Sequence, residues 1–448
     1  MTRALWIQAR RSTAPVVLLL LLAACLIAMF ADSPFWSGGW LMLASGQRLL
    51  LVLLWPIALA LGAWQMRWEQ RAQVDELFAT TGRPRWHRIV VTAAVLGVAA
   101  FTSYLLAFAA GAAWIAGGAT YFPAAVPAVV AIGGLSLVAA VWLGMGVGYL
   151  VPHLVTAPAL AVVGFAVQVL LGVIFKNARW LADLLSPMMS APWDPYYTLP
   201  ASFTVGQTLW LVGLALTGLL LVAPASKRFR PAAIVPVLLG AGLAVALSPR
   251  VDTANAQWVR DLAGAELVCA EGTPRVCVTR VNAKVLPAAT PLAREVLAKL
   301  ADLPDAPTSA VEDWHLPYGD ARDVSTGRPG PDTLTFLVER SGELVQEKFV
   351  LDTLTTFISQ GRYDCDAWTE EQQTANGAAL AAAVYWFAGK TPAAGLFVDP
   401  AEVDQATRLA TELGSMPRDQ AVQRVAAVRA GVKECRTDLT AILQGRAK

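Results

Sequence analysis

Seven long apolar runs occupy roughly the first 250 residues and constrain the fold more than any other feature of the chain. A helix that crosses the hydrocarbon core of a bilayer needs about 20 predominantly apolar residues. Only 15% of all residues are charged, against about 25% in soluble domains. We therefore predict an α-helical polytopic membrane protein with spans at 14–30, 49–66, 89–116, 125–150, 157–175, 207–224 and 231–247.

Basic residues are distributed unevenly between the loops on the two sides of these spans, and the richer side is expected to face the cytoplasm. The richer side has Arg3, Arg10, Arg11, Arg67, Arg71, Arg83, Arg85, Arg88, Lys227, Arg228 and Arg230. The other side has only Arg48, Lys176 and Arg179. The N-terminus is therefore predicted to be cytoplasmic, and the residues after the seventh span to be extracytoplasmic. Lysine makes up only 8 of the 35 basic residues, which favours a bacterial plasma membrane.

The first apolar run has a second interpretation. Leu22-Ala23-Ala24-Cys25 matches a lipoprotein cleavage box after a basic N-terminal region. The run continues through LIAMF beyond Cys25, however, and further spans follow it. We favour an ordinary first span.

The central spans contain few polar side chains. Between Ile89 and Phe175 there is no Asp, Glu, Lys or Arg. Buried ionisable residues usually mark ion-coupled transport, so their absence here argues against an ion-driven transporter. Gln168 is interpreted mainly as a helix–helix hydrogen bond, and Gly144, Gly146 and Gly148 predict close helix packing.

A charged stretch, WEQRAQVDELFATTGRPRWHR at 68–88, interrupts the apolar runs between spans two and three. Val74, Leu77 and Phe78 recur at helical spacing, which predicts a short amphipathic helix. Gly82 and Pro84 favour its termination. Such a helix lies on the cytoplasmic leaflet or docks a cytoplasmic partner, and the segment alone favours neither.

The order of these segments resembles a type-2 ABC-transporter permease. In that family an interfacial helix precedes the first span, as residues 2–11 would, and a coupling helix follows span two, as WEQRAQVDELF would. Re-entrant helices lie between spans five and six, where KNARWLADLLSPMMSAPWDPYYTLP stands. The resemblance implies a six-span permease core at 1–225. It assigns ATPase coupling to Trp68, Glu69, Arg71, Val74, Asp75, Glu76, Leu77 and Phe78.

The same resemblance implies two partners besides membrane lipid: a cytoplasmic P-loop ATPase subunit, and a second permease in a homodimer or heterodimer. This chain has no phosphate-binding loop of its own, because Gly389-Lys390-Thr391 has Val384 where the motif requires its first glycine. The seventh span (226–248) and the extracytoplasmic domain (249–448) are additions to the family plan. We assign no cofactor, metal or catalytic residue, and a net charge of +2 gives no reason to expect nucleic acid.

The C-terminal domain is predicted to be α+β and disulfide-bearing. Two short strands flank the turn AEGTPR, so Cys269 and Cys277 are expected to bond across them, which leaves Cys365 with Cys435. The sequence allows three pairings. The domain lacks the C-x-x-C pairs that zinc sites usually have.

Local signals place the other elements of this domain. Residues 333–338 predict a strand, and an apolar face at 350–358 predicts a helix. Thr369 and Gln372 form a capping box before another helix. Asp399 and Pro400 suggest an N-cap and first helical position, with Gly414 ending that helix.

One histidine, His315, lies among acidic residues in EDWHLPYGDARD at 312–323. This cluster is the best catalytic or metal candidate of the domain, but a loop rich in Pro, Gly and Asp is more often a solvated surface. The overall prediction is a permease subunit of an ATP-driven exporter with an amphipathic or hydrophobic substrate. The alternatives are an ATPase-actuated complex that works on an envelope partner, and a membrane-anchored binding or sensor protein.

Overall fold

The computed structural model describes residues 13–31, 36–71, 85–189, 195–222, 231–248, 257–313, 330, 332–338, 344–359, 368–394, 400 and 402–446, with only the backbone at 69–71, 85 and 370. The chain divides into two compact units, Met1–Leu262 and Ala263–Lys448. We call them the membrane unit and the C-terminal unit. The division falls after Leu262, later than the predicted boundary near 249.

The described helices of the membrane unit are α1 (Ala14–Ala31), α2 (Trp40–Leu49), α3 (Leu51–Arg71), α4 (Arg85–Ile115), α5 (Val126–Leu150), α6 (Thr156–Ile174), α7 (Arg179–Leu185), α8 (Ala201–Val222) and α9 (Val235–Leu247). Six of the described helices are long and apolar enough to cross a membrane, namely α1, α3, α4, α5, α6 and α8. This is consistent with the predicted helical polytopic membrane protein.

The seventh predicted span is shorter than the other six. A 3-10 turn at Pro231–Ile234 leads into α9, and together they make an apolar segment at Pro231–Leu247. At helical rises these residues extend about 28 Å, close to the thickness of a hydrocarbon core. This segment packs against α8, where an added Cβ at Gly213 would lie 2.5 Å from the Pro236 carbonyl oxygen.

Hydrogen bonds gather several connecting segments at one end of the membrane unit. Strands β1 (Tyr197–Thr198) and β2 (Val259–Arg260) pair antiparallel. Tyr121 donates to Asp261 Oδ2 at 2.7 Å. These contacts join the α4–α5 connection, the segment before α8 and the residues after α9. At the start of α1, the Thr13 hydroxyl donates to Gln65 Oε1 near the end of α3.

Glycines permit the tightest helix contacts of the membrane unit. An added Cβ at Gly144 would lie 2.1 Å from the Leu59 carbonyl oxygen, and one at Gly62 would lie 2.1 Å from the Val141 carbonyl oxygen. Backbone therefore meets backbone where α3 crosses α5. An added Cβ at Gly146 would instead lie 2.8 Å from the Gly218 carbonyl oxygen on α8. The predicted packing role of these glycines is confirmed.

Helix α2 was absent from the sequence-based prediction, and its position corrects one inference. Arg48, counted above as a loop residue, lies in α2 and is 0% exposed. Only Leu50 separates α2 from α3. Arg48 therefore does not lie in a loop, and its side chain is enclosed by the packed helices.

The C-terminal unit combines a four-stranded sheet with helices. Its strands β3 (Leu267–Cys269), β4 (Arg275–Thr279), β5 (Ser309–Glu312) and β6 (Thr333–Phe336) lie in this order; β3 and β4 are antiparallel, and the others are parallel. The described helices are α10 (Leu286–Leu300), α11 (Gln346–Ile358), α12 (Glu370–Ala388), α13 (Val403–Gly414), α14 (Arg418–Lys433) and α15 (Leu439–Gln444). The unit has its own core, which includes Val276, Leu334 and Leu354.

The local predictions for this unit have mixed outcomes. Cys269 and Cys277 are opposite each other in the β3–β4 register and form the predicted disulfide. Cys435 is disulfide-bonded as well; Cys365, its predicted partner, lies outside the described residues. The capping box of α12, with Thr369 as N-cap, is confirmed.

The predicted start of α13 at Pro400 is wrong. The helix begins at Val403 with Glu402 in the N-cap position. Glu402 is buried, and an added Cβ at Gly377 of α12 would lie 2.6 Å from its Oε1 atom. Glu402 therefore packs against α12 where the helix begins, whereas Asp399, the predicted N-cap, lies outside the described residues.

Candidate functional site

The predicted ATPase-coupling residues are described only in part. Helix α3 continues through Trp68, Glu69 and Arg71, and Trp68 is 63% exposed with its ring 6.4 Å from that of Trp64. The other five, Val74, Asp75, Glu76, Leu77 and Phe78, lie outside the described residues, as do residues 2–11. Helix α3 thus includes the first residues of the predicted coupling segment, whose amphipathic helix stays a prediction.

The most unusual site of the membrane unit surrounds the buried Arg48. Its Nη1 atom donates to Gln207 Oε1 at 3.0 Å, and its Nη2 atom donates to the Pro187 carbonyl oxygen at 2.9 Å. The sulfur of Met189 lies 3.9 Å from Nη1. A guanidinium therefore joins α2, α8 and the segment that follows α7.

Gln207 is held in place by the C-terminal end of α7. Its Nε2 atom donates to the carbonyl oxygens of Asp183 at 3.2 Å and Ser186 at 3.1 Å. The last carbonyls of a helix have no partner within the helix, and they carry its negative dipole end. The amide is thereby oriented so that its oxygen faces Arg48.

A second buried amide lies next to Arg48 in the sequence. Gln47 Nε2 donates to the Tyr104 carbonyl oxygen at 2.8 Å and lies 3.7 Å from the sulfur of Cys25. Gln47 is 0% exposed, and Tyr104, whose ring packs against Gly133, is 1% exposed. The arrangement joins α1, α2, α4 and α5 around one polar centre. We call Gln47, Arg48, Tyr104 and Gln207 the polar centre.

Among the residues that the structure describes, no carboxylate pairs with Arg48. Its hydrogen-bond partners within the described residues are neutral, and its Nε atom has none. Gln47 Oε1, the Tyr104 hydroxyl and the Ser186 hydroxyl are buried without a described partner too. Removing a charge from water costs several kcal/mol unless strong interactions compensate for it. Ionisable residues inside a membrane protein are usually functional.

The backbone carbonyl of Asp183, on α7, accepts a hydrogen bond from Gln207, and the side chain of Asp183 is half-buried. Burial raises the pKa of Asp183 from its ordinary value of 3.8 to about 6, although the Arg179 guanidinium opposes the rise. The folded protein therefore binds this proton more tightly than the unfolded chain does. The stability contributed by protonated Asp183 is complete at low pH and is lost as the pH rises towards 6.

Asp183→Asn is expected to stabilise the membrane unit increasingly as the pH rises. The wild type loses stability as the carboxyl group ionises, whereas the amide does not ionise. The midpoint of thermal unfolding, measured in detergent at several values between about pH 4 and 7, gives the difference. Asp419→Asn removes an exposed carboxyl group in the C-terminal unit and serves as the control. If the difference in unfolding midpoint between Asp183→Asn and the wild type did not change with pH, the raised pKa of Asp183 would be contradicted.

The acidic cluster near His315 is described only at Glu312 and Asp313. Glu312 is 1% exposed, and its carboxyl oxygens accept hydrogen bonds from the Thr279 amide, the Thr279 hydroxyl and Asn282. These bonds join the ends of two parallel strands, so Glu312 has a structural role. No metal-binding group of acidic, His or Cys residues occurs among the described residues.

The Gly389-Lys390 pair ends a helix. Gly389 caps α12 in the left-handed conformation, with φ of 71°, and Lys390 pairs with Glu347. A phosphate-binding loop precedes its helix. The match of this segment to the phosphate-binding motif is therefore incomplete in sequence, and it lies at the wrong end of a helix.

Sequence reasoning missed the polar centre because its members are far apart in the chain. Gln168, the polar residue that was singled out, donates to the Leu51 carbonyl oxygen at 3.3 Å, as predicted for a helix–helix contact. The available signal for the polar centre was the pair Gln47-Arg48 next to an apolar span. Comparison with known proteins gives no assignment: no family model, curated protein or solved structure matches the chain.

Proposed function

We propose that this protein is the membrane subunit of an ATP-driven exporter, energised by a separate cytoplasmic ATPase that docks on residues 68–79. The observation that supports this most is the position of α3. One end of the helix adjoins Arg48 across Leu50, and the other end enters the proposed coupling segment. A single helix thus connects the docking segment with the polar centre.

The helix is suited to transmit a displacement. It has 21 residues, and at 1.5 Å per residue it extends about 31 Å. It packs against α5 and α6, and its glycine contact with α5 joins the two backbones closely. A push on the coupling segment would therefore move the part of α3 that follows Pro56 together with α5. The interruption at Leu50 would concentrate the resulting change beside Arg48.

The exporter proposal predicts a stable complex with a P-loop ATPase. The tagged full-length chain is purified from its native membranes in mild detergent, and the proteins bound to it are identified. We expect a stoichiometric ATPase that is lost when Leu77→Asp and Phe78→Asp are combined, because two charges replace the apolar face of the segment. Leu262→Asp combined with Val345→Asp changes two residues that are 73% and 60% exposed, and this control is expected to retain the ATPase.

The absence of an ATPase from an intact, monodisperse preparation would overturn the proposal. Retention of the ATPase by the Leu77/Phe78 variant would overturn the docking site while leaving an ATP-driven complex in place. Dimerisation with a second permease is checked in the same preparation from the mass of the complex.

A second candidate is an ATPase-actuated complex that works on an envelope partner through the C-terminal unit. The observation that favours it is the β1–β2 ribbon, which ties residues 259–260 to the segment between α7 and α8. Movement at the polar centre would then reach the start of the C-terminal unit. If vesicles that contain the complex move a substrate across the membrane, export is favoured. If they move none, and deletion of 263–448 abolishes the effect on the envelope partner, actuation is favoured.

A further inference from the structure

We propose that the polar centre binds the oxyanion headgroup, a carboxylate or phosphate, of an amphiphilic molecule, with Arg48 as its principal ligand. This inference rests on the proposed function in that it identifies the substrate class of the same subunit. It was not suggested by the sequence, in which Arg48 was assigned to a loop.

Arg48 has no counter-charge among the described residues. Arg48 is 0% exposed, and every described partner of its guanidinium is neutral. Arginine retains its proton in proteins, so the charge persists inside the unit. Guanidinium groups bind carboxylate and phosphate through charge-assisted hydrogen bonds, which are about twice as strong as bonds between neutral groups. None of the described residues supplies such an oxyanion to Arg48.

Residue 207, which accepts a hydrogen bond from Arg48, is a neutral glutamine and not a carboxylate. A carboxylate there would form a permanent buried ion pair with Arg48, and an incoming anion would have to break it. Gln207 supplies a neutral acceptor at 3.0 Å instead, and its Nε2 atom is anchored on α7. A neutral acceptor satisfies the guanidinium in the closed state and is readily replaced by an anion.

Three further hydrogen-bond donors are buried in the membrane unit. Arg48 Nε, the Tyr104 hydroxyl and the Ser186 hydroxyl are buried without a described partner. A phosphate or carboxylate bound to the guanidinium has several lone pairs, so it would also accept a hydrogen bond from Arg48 Nε.

The surroundings specify the rest of the ligand. The polar centre lies within the apolar core of the membrane unit: the sulfur of Met189 is 3.9 Å from Arg48 Nη1, and Met189 belongs to the same hydrophobic cluster as Leu51 and Leu54. An inorganic anion would gain nothing from such surroundings, whereas an acyl chain would be buried against them. Because Arg48 is fully enclosed, a ligand reaches it only when the helices around it move apart.

The test is equilibrium binding of tritiated dodecanoate to the full-length chain in phosphatidylcholine nanodiscs, at about pH 8, where a carboxylic acid is ionised. Empty nanodiscs give the amount that partitions into lipid. We expect saturable binding that unlabelled dodecyl phosphate displaces at concentrations roughly tenfold or more below those of dodecanol, which has the same chain without a charge.

Three variants assign the binding to the polar centre. Arg48→Met replaces the charge with an apolar chain, and Gln207→Glu adds a permanent counter-charge; each is expected to weaken binding about tenfold or more. Lys176→Gln removes an exposed positive charge and is expected to bind like the wild type. Thermal unfolding of each variant shows whether it is folded.

The proposal is overturned if the wild type binds dodecanoate and dodecanol alike, or if folded Arg48→Met binds dodecanoate as the wild type does. If Arg48→Met does not fold, the acid–alcohol comparison and Gln207→Glu decide. Competition by phosphatidylglycerol added to the nanodiscs would identify a membrane lipid as the source of the headgroup, and its failure would identify a single-chain amphiphile; both results support the site. No ATPase enters this measurement, so the result stands apart from the co-purification experiment.

Discussion

Gly144→Val is expected to prevent the membrane unit from assembling. An added Cβ at Gly144 would lie 2.1 Å from the Leu59 carbonyl oxygen and 2.9 Å from its carbonyl carbon. The obstacle is backbone, which cannot rotate away as a side chain does. Inserting even small groups into a packed core commonly costs about 1–3 kcal/mol, and here α3 must separate from α5. We expect a loss of more than about 3 kcal/mol, above that ordinary range.

Gly172→Val is the matched control for this substitution. Gly172 lies in α6, and nothing is within 4 Å of its added Cβ. Both substitutions change Gly to Val within an apolar helix of the membrane unit, so the effect of helix propensity on stability is the same in the two proteins. Size-exclusion chromatography and thermal unfolding in detergent compare the two proteins. A monodisperse Gly144→Val protein that unfolds at the wild-type temperature would show that α3 and α5 do not approach each other as described.

Glu312→Ala is expected to destabilise the sheet of the C-terminal unit by about 3 kcal/mol or more, because it removes three hydrogen bonds from a buried carboxyl group. The Thr279 amide would be left buried without this acceptor. Amide hydrogen exchange in the full-length chain, measured on β4 and β5, reports the change locally. This readout is needed because a chain of two units does not unfold in a single step.

Glu295→Ala provides the comparison for an exposed glutamate. The side chain of Glu295 is 44% exposed and lies 3.7 Å from that of Lys299 on α10. Exposed ion pairs of this kind contribute about 0–1 kcal/mol. Equal exchange rates in the Glu312→Ala and Glu295→Ala proteins would mean that Glu312 does not hold the strand ends together.

Features that depend on residues close together in the chain were predicted correctly, whereas several features that depend on distant residues were not. The predicted spans correspond to helices because apolar length is itself the signal. The α12 capping box and the Cys269–Cys277 hairpin were predicted for a similar reason, since each involves residues close together in the chain. Helix α13 begins at Val403 and not at Pro400, and the contact that Glu402 makes with α12 at this point is with a distant segment, which the local signal did not include.

By itself, then, the sequence determined which segments are helical and apolar enough to cross a membrane, and where several local turns and caps lie. Only the tertiary structure decided that Arg48 is buried, that α2 exists as a separate helix, and that Gln207 approaches from 159 residues away. Periodicity and composition act over a few residues, so they are visible in the sequence. Whether a polar side chain meets solvent or an interior partner depends on the packing of distant helices, which no local pattern encodes.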